Sequence, residues 1–268
     1  MSFVHPEPMQ SDVDYLGSVV AHKFGISSAR HPPTSKGHQQ SYATMLRDPR
    51  LVAAGSFDCH AFLGDLYRLG LDEDDIIDRF IPAAARALGV CWIEDALGFS
   101  DVTVGALRLQ ALLAESAYRY GFTSFLEGVS DVRQEVLIVS RAKEQHTLGC
   151  FVLAAQLRRR GANVTLHLSE SDNSIYQRIL GDVWDTVLFS TSCQNDLPKI
   201  CALMLSVRRQ ISSVPLFALG GSFLDTCECG GCEEPLEGFD IVTNDLDRVI
   251  NRRQHLCDGS TNQSWAIR

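Results

Sequence analysis

Five short apolar segments, rich in β-branched residues, alternate with helical segments in the second half of the chain. A short apolar run bounded by polar or turn residues is typical of a strand that is buried on both faces. A helical segment between two such strands predicts a right-handed crossover that joins parallel neighbours. The alternation therefore predicts a parallel sheet covered by helices on both faces. The predicted strands are residues 135–141, 163–169, 185–191, 214–219 and 239–243.

The part of the chain before these strands has a helical pattern. Apolar residues recur at helical spacing in residues 57–69, 72–97 and 101–120, which predicts a small helical bundle. Pro82 lies inside the second helix and should kink or break it. Asp101 is a plausible N-cap for the third helix. We therefore predict an α/β fold, in which a helical bundle precedes a flavodoxin-like (Rossmann-like) five-stranded parallel sheet.

The chain has four predicted regions. Residues 1–45 are rich in His, Pro, Ser, Gln and Gly and are expected to form a flexible N-terminal arm. The bundle occupies residues 46–127, the sheet domain residues 131–255, and a C-terminal tail residues 256–268. The sequence has no apolar run of about 18 residues, and its N-terminus lacks the basic and apolar regions of a secretory signal. We expect a cytoplasmic protein without a membrane partner.

Charge and cysteine content exclude two further classes. The net charge of -9 argues against a protein that mainly holds nucleic acid, because phosphate binding needs a basic face. Nine cysteines are an odd number in a chain without an export signal, which argues against a disulfide framework. Cys91, Cys150 and Cys201 lie in apolar stretches and are interpreted as small core residues.

A histidine follows the first predicted strand. Residues 144–149 read Glu-Gln-His-Thr-Leu-Gly, and a helix is predicted from Gly149 to Arg160. Ligands of open parallel sheets bind beyond the carboxyl ends of the strands, where His146 would lie. Taken alone, such a histidine is more often a solvated or satisfied structural residue than a ligand.

Two further loops are expected at the same edge of the sheet. The third strand leads into Ser190-Thr191-Ser192, and the fourth leads into Gly220-Gly221. Small residues let a flat ligand approach the backbone, and hydroxyls can form hydrogen bonds to its polar groups. The three loops together predict a ligand site.

These motifs resemble the cobalamin-binding domain, whose usual pattern is Asp-x-His-x-x-Gly, then Ser-x-Leu, then Gly-Gly. The upstream helices resemble the helical cap of cobalamin-dependent regulators, on the strength of residues 82–92 and 101–110. The chain is most similar to the PpaA/AerR family of photosynthesis regulators. The resemblance covers about residues 46–255. Two residues depart from the usual pattern, because Glu144 stands in place of Asp and Ser192 in place of Leu.

The resemblance implies a bound cobalamin, as hydroxocobalamin, methylcobalamin or adenosylcobalamin. His146 would be the lower cobalt ligand, and Glu144 would hold the other nitrogen of its ring. The benzimidazole tail of the cofactor would insert beside the sheet. Its binding residues would be Gly149, Ser190, Ser192, Gly220 and Gly221.

The helical cap would cover the upper face of the corrin. Trp92 is the expected lid, although its sequence context alone favours an aromatic residue of the bundle core. Related light-sensing regulators carry a Glu-His pair about ten residues after the tryptophan, and this chain has Val102-Thr103 there. A histidine switch of that kind is not expected here.

Three cysteines form a second chemical candidate. Cys227, Cys229 and Cys232 lie within six residues, with two glycines between the last two. They could begin a zinc or iron-sulfur site, with Asp225 or Cys257 as a fourth ligand. The alternative is a loop with incidental thiols.

The resulting functional hypothesis is a cobalamin-binding transcriptional regulator that is not an enzyme. Light or redox state would be its signal, and it would act as antirepressor on a repressor of the PpsR/CrtJ type. The sequence lacks an evident helix-turn-helix, which favours a protein partner over direct DNA binding. Two alternatives use the same histidine: a corrinoid methyl-carrier subunit of a methyltransferase, and a heme sensor.

Overall fold

A computed structural model describes seven stretches of the chain: residues 43–52, 55–127, 134–141, 147–169, 171–211, 215–226 and 236–253. The predicted C-terminal tail and most of the predicted N-terminal arm lie outside these stretches. The chain divides into two compact units, Met1–Ala117 and Tyr118–Arg268. None of the described helices is both long and apolar enough to cross a membrane.

The first unit contains the predicted helices. Asp58 caps the first of them, since its carboxylate accepts a hydrogen bond from the Ala61 amide, and the helix buries Phe62 and Leu66. The three longest are α1 (Cys59–Arg68), α2 (Ile81–Ile93) and α3 (Phe99–Glu127), of which α3 crosses into the second unit.

The second predicted helix is irregular where Pro82 enters it. A turn at Glu73–Asp75 leads into a π-helical segment, Ile76–Phe80, in which the Ile81 amide donates to the Ile76 carbonyl. Proline has no amide hydrogen and its ring clashes with the carbonyl four residues earlier, so a wider turn before it relieves both problems. The helix ends at Ile93 rather than residue 97, and Asp95 follows with a φ of 56°.

The third helix begins two residues earlier than predicted. Phe99 is its first residue, so Asp101 lies in the first turn and the prediction of Asp101 as N-cap was wrong. Its carboxylate instead accepts a hydrogen bond from the Gly98 amide at 3.0 Å. A carboxylate in this turn still favours the helix, because it satisfies an amide and faces the positive end of the dipole.

The second unit confirms the predicted parallel sheet. Its strand order is β2-β1-β3-β4-β5, which is the flavodoxin-like order, with the switch point between β1 and β3. Every described pair is parallel. The strands are β1 (Glu135–Ser140), β2 (Asn163–Leu168), β3 (Thr186–Ser190), β4 (Leu216–Gly220) and β5 (Ile241–Val242).

Helices cover the sheet on both faces. The helices between the strands are α4 (Leu148–Arg159), α5 (Asp172–Gly181), α6 (Leu197–Arg208) and the short α7 (Phe223–Thr226), and residues 246–253 form α8 after β5. Helices α4 and α8 pack on the face that carries Ile138, Leu188 and Ala218. Helices α5 and α6 pack on the face that carries Val139 and Phe217. This alternation of buried residues along each strand fixes which side chains meet which helix.

Candidate functional site

Three small residues stand side by side where the central strands end. Ser140 pairs in register with Ser190, and Ser190 pairs with Gly220. Residues two apart on a strand point to the same face. Leu188 and Ala218, two residues earlier, pack on the face covered by α4. Ser140, Ser190 and Gly220 therefore form a row of small residues, the end row, on the α4 face at the carboxyl edge.

Helix α4 also presents small residues to this face. Cys150 and Ala154 are buried in the same core cluster as Ala218. A β-carbon added to Gly149, in the first turn, would meet no atom within 4 Å. Packing within the described protein therefore gives no reason for glycine at this position. A group that approaches the start of α4 closely would give one.

The loop after β3 is held by its own hydrogen bonds. Thr191 is 2% exposed; its amide donates to the Gly220 carbonyl at 3.1 Å, and its hydroxyl accepts from the Cys193 amide at 3.2 Å. Ser190 belongs to the end row, whereas Ser192 lies beyond the strand and is partly buried. The Thr191 hydroxyl is thus engaged in shaping the loop, and Ser190 is the serine placed at the sheet edge.

Both glycines after β4 are required by neighbouring loops. Gly221 has a φ of +127°, and a β-carbon there would lie 1.9 Å from the Thr191 carbonyl oxygen. A β-carbon on Gly220 would lie 2.8 Å from the Thr243 carbonyl oxygen. The sequence interpretation assigned these glycines to close approach of a ligand. The structure shows that the protein's own backbone already needs them.

Sequence reasoning missed two residues of this edge. Ser140 ends an apolar strand and is 2% exposed, and its only signal was a small polar residue that closes an apolar run. Asn244 follows β5, and its side chain forms two hydrogen bonds to Gly221. Asparagine after a strand is common in turns, so the sequence carried no sign of that contact.

An arginine lies at the switch point of the sheet. Arg141 directly follows β1, its side chain is 13% exposed, and its Nη2 donates to Asp172 Oδ1 at 2.6 Å. Its Nε is buried and has no hydrogen-bond partner in the described part of the chain. A buried N–H without an acceptor is costly, so Arg141 offers a hydrogen-bond donor at the sheet edge.

Several predicted site residues lie outside the described residues. These are Glu144, His146, Cys227, Cys229 and Cys232. The described residues contain no group of three metal-ligating side chains close enough to hold a metal ion. The roles assigned to the five residues stay predictions.

Trp92 belongs to α2 and is 47% exposed. Its interpretation as a core aromatic was therefore wrong. Ile93 is 82% exposed and Phe99, at the start of α3, is 66% exposed. These large apolar side chains are therefore exposed rather than packed in a core. The role of Trp92 as a lid stays a prediction.

The cysteines interpreted as core residues differ in burial. Cys150 is 1% exposed, as predicted, whereas Cys91 and Cys201 are partly buried. Burial raises the pKa of the Cys91 and Cys201 thiols. Both thiols are therefore protonated near neutral pH, which disfavours reactivity at these positions.

Comparison with known proteins identifies one related sequence. No family model matches the chain. It is 31% identical over 181 residues to the "Uncharacterized 20.5 kDa protein in bchF-crtJ intergenic region" of Rhodobacter capsulatus. The alignment covers 66% of this chain and 90% of that protein.

Two solved structures also align with the chain. One is a cobalamin-binding protein from Desulfitobacterium hafniense DCB-2, with 12% identity, a TM-score of 0.37, and coverage of 82% of this chain and 97% of that chain. The other is the methanol:cobalamin methyltransferase complex MtaBC from Methanosarcina barkeri, with 12% identity, a TM-score of 0.34, and coverage of 83% and 86%. At these values the alignments assign no ligand to the present chain.

Proposed function

The chain belongs to the family of the 20.5 kDa Rhodobacter capsulatus protein in the bchF-crtJ intergenic region, and we propose that it is a cobalamin-binding regulator. One observation carries the proposal. The end row of Ser140, Ser190 and Gly220 lies at the carboxyl ends of β1, β3 and β4, and β1 leads into the Glu-x-His-x-x-Gly motif. This is the edge where open parallel sheets bind their ligands.

The described residues fit the tail of a cobalamin. Ser140 and Ser190 offer small side chains on the α4 face, where a planar benzimidazole needs space rather than charge, whereas Thr243 and Asn244 already occupy the place of a β-carbon on Gly220. The Ser190 hydroxyl can donate to or accept from a polar atom of that tail. Bound cobalamin would supply a cobalt centre whose axial ligands and spectrum respond to light or redox state.

His146 and Glu144 complete the proposed site. A neutral imidazole is a good ligand for cobalt, and the ring nitrogen that does not bind the metal needs an acceptor. Glu144, two residues earlier, would accept that hydrogen bond and fix the tautomer. Glutamate has one methylene more than the usual aspartate but keeps the same acceptor atoms.

The regulatory part of the proposal concerns a protein partner. The relative's location beside crtJ supports a repressor of the PpsR/CrtJ type as that partner, with this chain as antirepressor. The net charge of -9 favours contact with a protein over contact with DNA. Cofactor state can act as a signal only if it changes the contacts of one conformation more than those of another.

The first prediction tests the cofactor. The full-length protein is mixed with hydroxocobalamin or, separately, with heme, then desalted, and its visible spectrum is recorded. We expect stoichiometric retention of the corrinoid. A protein that retains heme but not the corrinoid after desalting would overturn the proposal. In a separate assay, methyl transfer from the bound corrinoid to a partner methyltransferase would show a carrier role in place of a regulatory one. Equal binding of a PpsR/CrtJ-type repressor with and without corrinoid would show that the corrinoid is not the switch.

The second prediction tests the end row. Ser190→Leu places a branched side chain where the tail is proposed to lie, so the Kd for hydroxocobalamin should rise about tenfold, which corresponds to about 1.4 kcal/mol. Binding of cobinamide, which lacks the nucleotide tail, should change less than about twofold. Ser190→Ala is the matched control and keeps the small size. An equal loss of affinity for both corrinoids would contradict the assignment of the tail to this row.

A further inference from the structure

Asn244 holds the glycine loop of the candidate site with both polar atoms of its side chain. Its Oδ1 accepts a hydrogen bond from the Gly221 amide at 2.8 Å, and its Nδ2 donates to the Gly221 carbonyl at 3.1 Å. The side chain itself is exposed, so it fills no place in the core. The two hydrogen bonds fix the peptide groups on both sides of a glycine that has a φ of +127°.

The same side chain is packed against the end row. A β-carbon on Gly220 would lie 3.1 Å from Asn244 Oδ1. The Gly220 carbonyl, in turn, accepts the Thr191 amide at 3.1 Å. Through these contacts Asn244 links the loop after β5 to the loops after β4 and β3. A shift of Asn244 would therefore move the backbone that borders Ser190.

Asn244 is itself held on both sides. The Thr243 amide donates to the Leu219 carbonyl at 2.9 Å, which ties the residue before it to β4. The Asp245 carboxylate accepts from the Asp247 amide at 2.9 Å and from the Arg248 amide at 3.3 Å, which fixes the start of α8. An asparagine between two such anchors is a rigid support for a flexible glycine pair.

We propose that Asn244 is a positioning residue that makes the site selective for corrinoids with a nucleotide tail. The inference rests on the proposed function. Glycines lose more conformational freedom on ordering than other residues, so a loop that must order on binding lowers affinity. Asn244 orders Gly220 and Gly221 beforehand. An ordered loop favours only a ligand that reaches the end row. The affinity for a corrinoid with a nucleotide tail should therefore be raised, and the affinity for cobinamide should not.

The experiment compares two corrinoids on three variants of the full-length protein. Asn244→Ala removes both hydrogen bonds, and Asn244→Asp keeps the acceptor for the Gly221 amide but loses the donor. Asn163→Ala is the control, because Asn163 is also exposed and also forms two hydrogen bonds, to the Glu135 carboxylate at the opposite edge of the sheet. Affinities for hydroxocobalamin and cobinamide are measured by absorbance titration.

For Asn244→Ala we expect the Kd of hydroxocobalamin to rise about tenfold while that of cobinamide changes less than about twofold. The Kd of hydroxocobalamin for Asn244→Asp should lie between the values for Asn244→Ala and the wild type. The Kd for the Asn163→Ala control should match that of the wild type. Unchanged affinities for both corrinoids in Asn244→Ala would overturn the inference and leave cobalamin binding intact. Loss of affinity for both corrinoids in equal measure would also overturn it, since it would show a structural role alone.

A second measurement separates this inference from the proposed function. Hydrogen exchange of the Gly221 amide is followed in the ligand-free protein. Exchange should speed up at least about tenfold in Asn244→Ala and stay close to wild type in Asn244→Asp, which retains the acceptor. Unchanged exchange in Asn244→Ala would refute positioning by Asn244 whatever the ligand. A wild type that binds neither corrinoid, with exchange as expected, would refute the proposed function and the selectivity but not the positioning.

Discussion

Gly221→Ala should lower the free energy of unfolding by about 3 kcal/mol. The new β-carbon would lie 1.9 Å from the Thr191 carbonyl oxygen, and the φ of +127° is one that residues with side chains rarely adopt. The backbone of Thr191 cannot rotate away from the new β-carbon as a long side chain could, so the loops after β3 and β4 must separate. Urea unfolding followed by circular dichroism measures the loss as a lower midpoint.

Gly149→Ala is the matched control for that variant. Its β-carbon would meet no atom within 4 Å and it lies in the first turn of α4. The ligand-free protein should therefore keep its stability or gain up to about 1 kcal/mol, because alanine favours a helix more than glycine does. Equal losses of stability in the two variants would contradict the account of why the chain needs glycine at position 221.

His146→Ala should weaken cobalamin binding by more than the roughly 10- to 100-fold that loss of a residue supporting a metal ligand costs. The variant removes the proposed lower ligand itself, so the cofactor's own base or water takes its place and the visible spectrum shifts. The affinity is measured by titration with hydroxocobalamin. Added free imidazole should restore part of the wild-type spectrum.

The control for this variant is His60→Ala, because His60 is an exposed histidine of α1. Its Nδ1 lies 3.5 Å from Glu115 Oε1. It should bind corrinoid as the wild type does. A His146→Ala protein with unchanged affinity and spectrum would contradict the ligand assignment. It would leave open the placement of the tail at the end row, which the Ser190 variants test separately.

The parallel sheet was predictable because its central strands, β1, β3 and β4, are apolar along both faces. Residues 136–140 of β1 form one continuous buried run, and the helix that follows β1 has a recognisable basic last turn. The ends of the helices were less predictable. The π-helical turn Ile76–Phe80 depends on how the backbone adapts to Pro82, and the early start of α3 depends on a hydrogen bond from Gly98 to Asp101. The spacing of apolar residues indicates neither the π-helical turn nor the early start of α3.

The candidate site was predictable in composition but not in the reason for each residue. Small residues after β3 and β4 indicated a ligand edge, and Ser190 and Gly220 do lie together there. The need for Gly221 comes from the Thr191 carbonyl, a contact between loops 30 residues apart in sequence. Asn244 was missed for the same reason: its role depends on two hydrogen bonds to Gly221, which is distant in sequence.

We expect His146 to bind the cobalt of a cobalamin held at the carboxyl edge of the sheet. Electron paramagnetic resonance of the reduced complex, cob(II)alamin, tests it most directly, because the unpaired electron couples to an axial nitrogen nucleus. The protein is produced once with ordinary histidine and once with histidine labelled with nitrogen-15. If His146 is the axial ligand, labelling changes the threefold splitting of the lines to a twofold splitting. A threefold splitting that persists in the labelled protein would show that the cofactor's own base remains on cobalt, and would rule out His146 as the ligand.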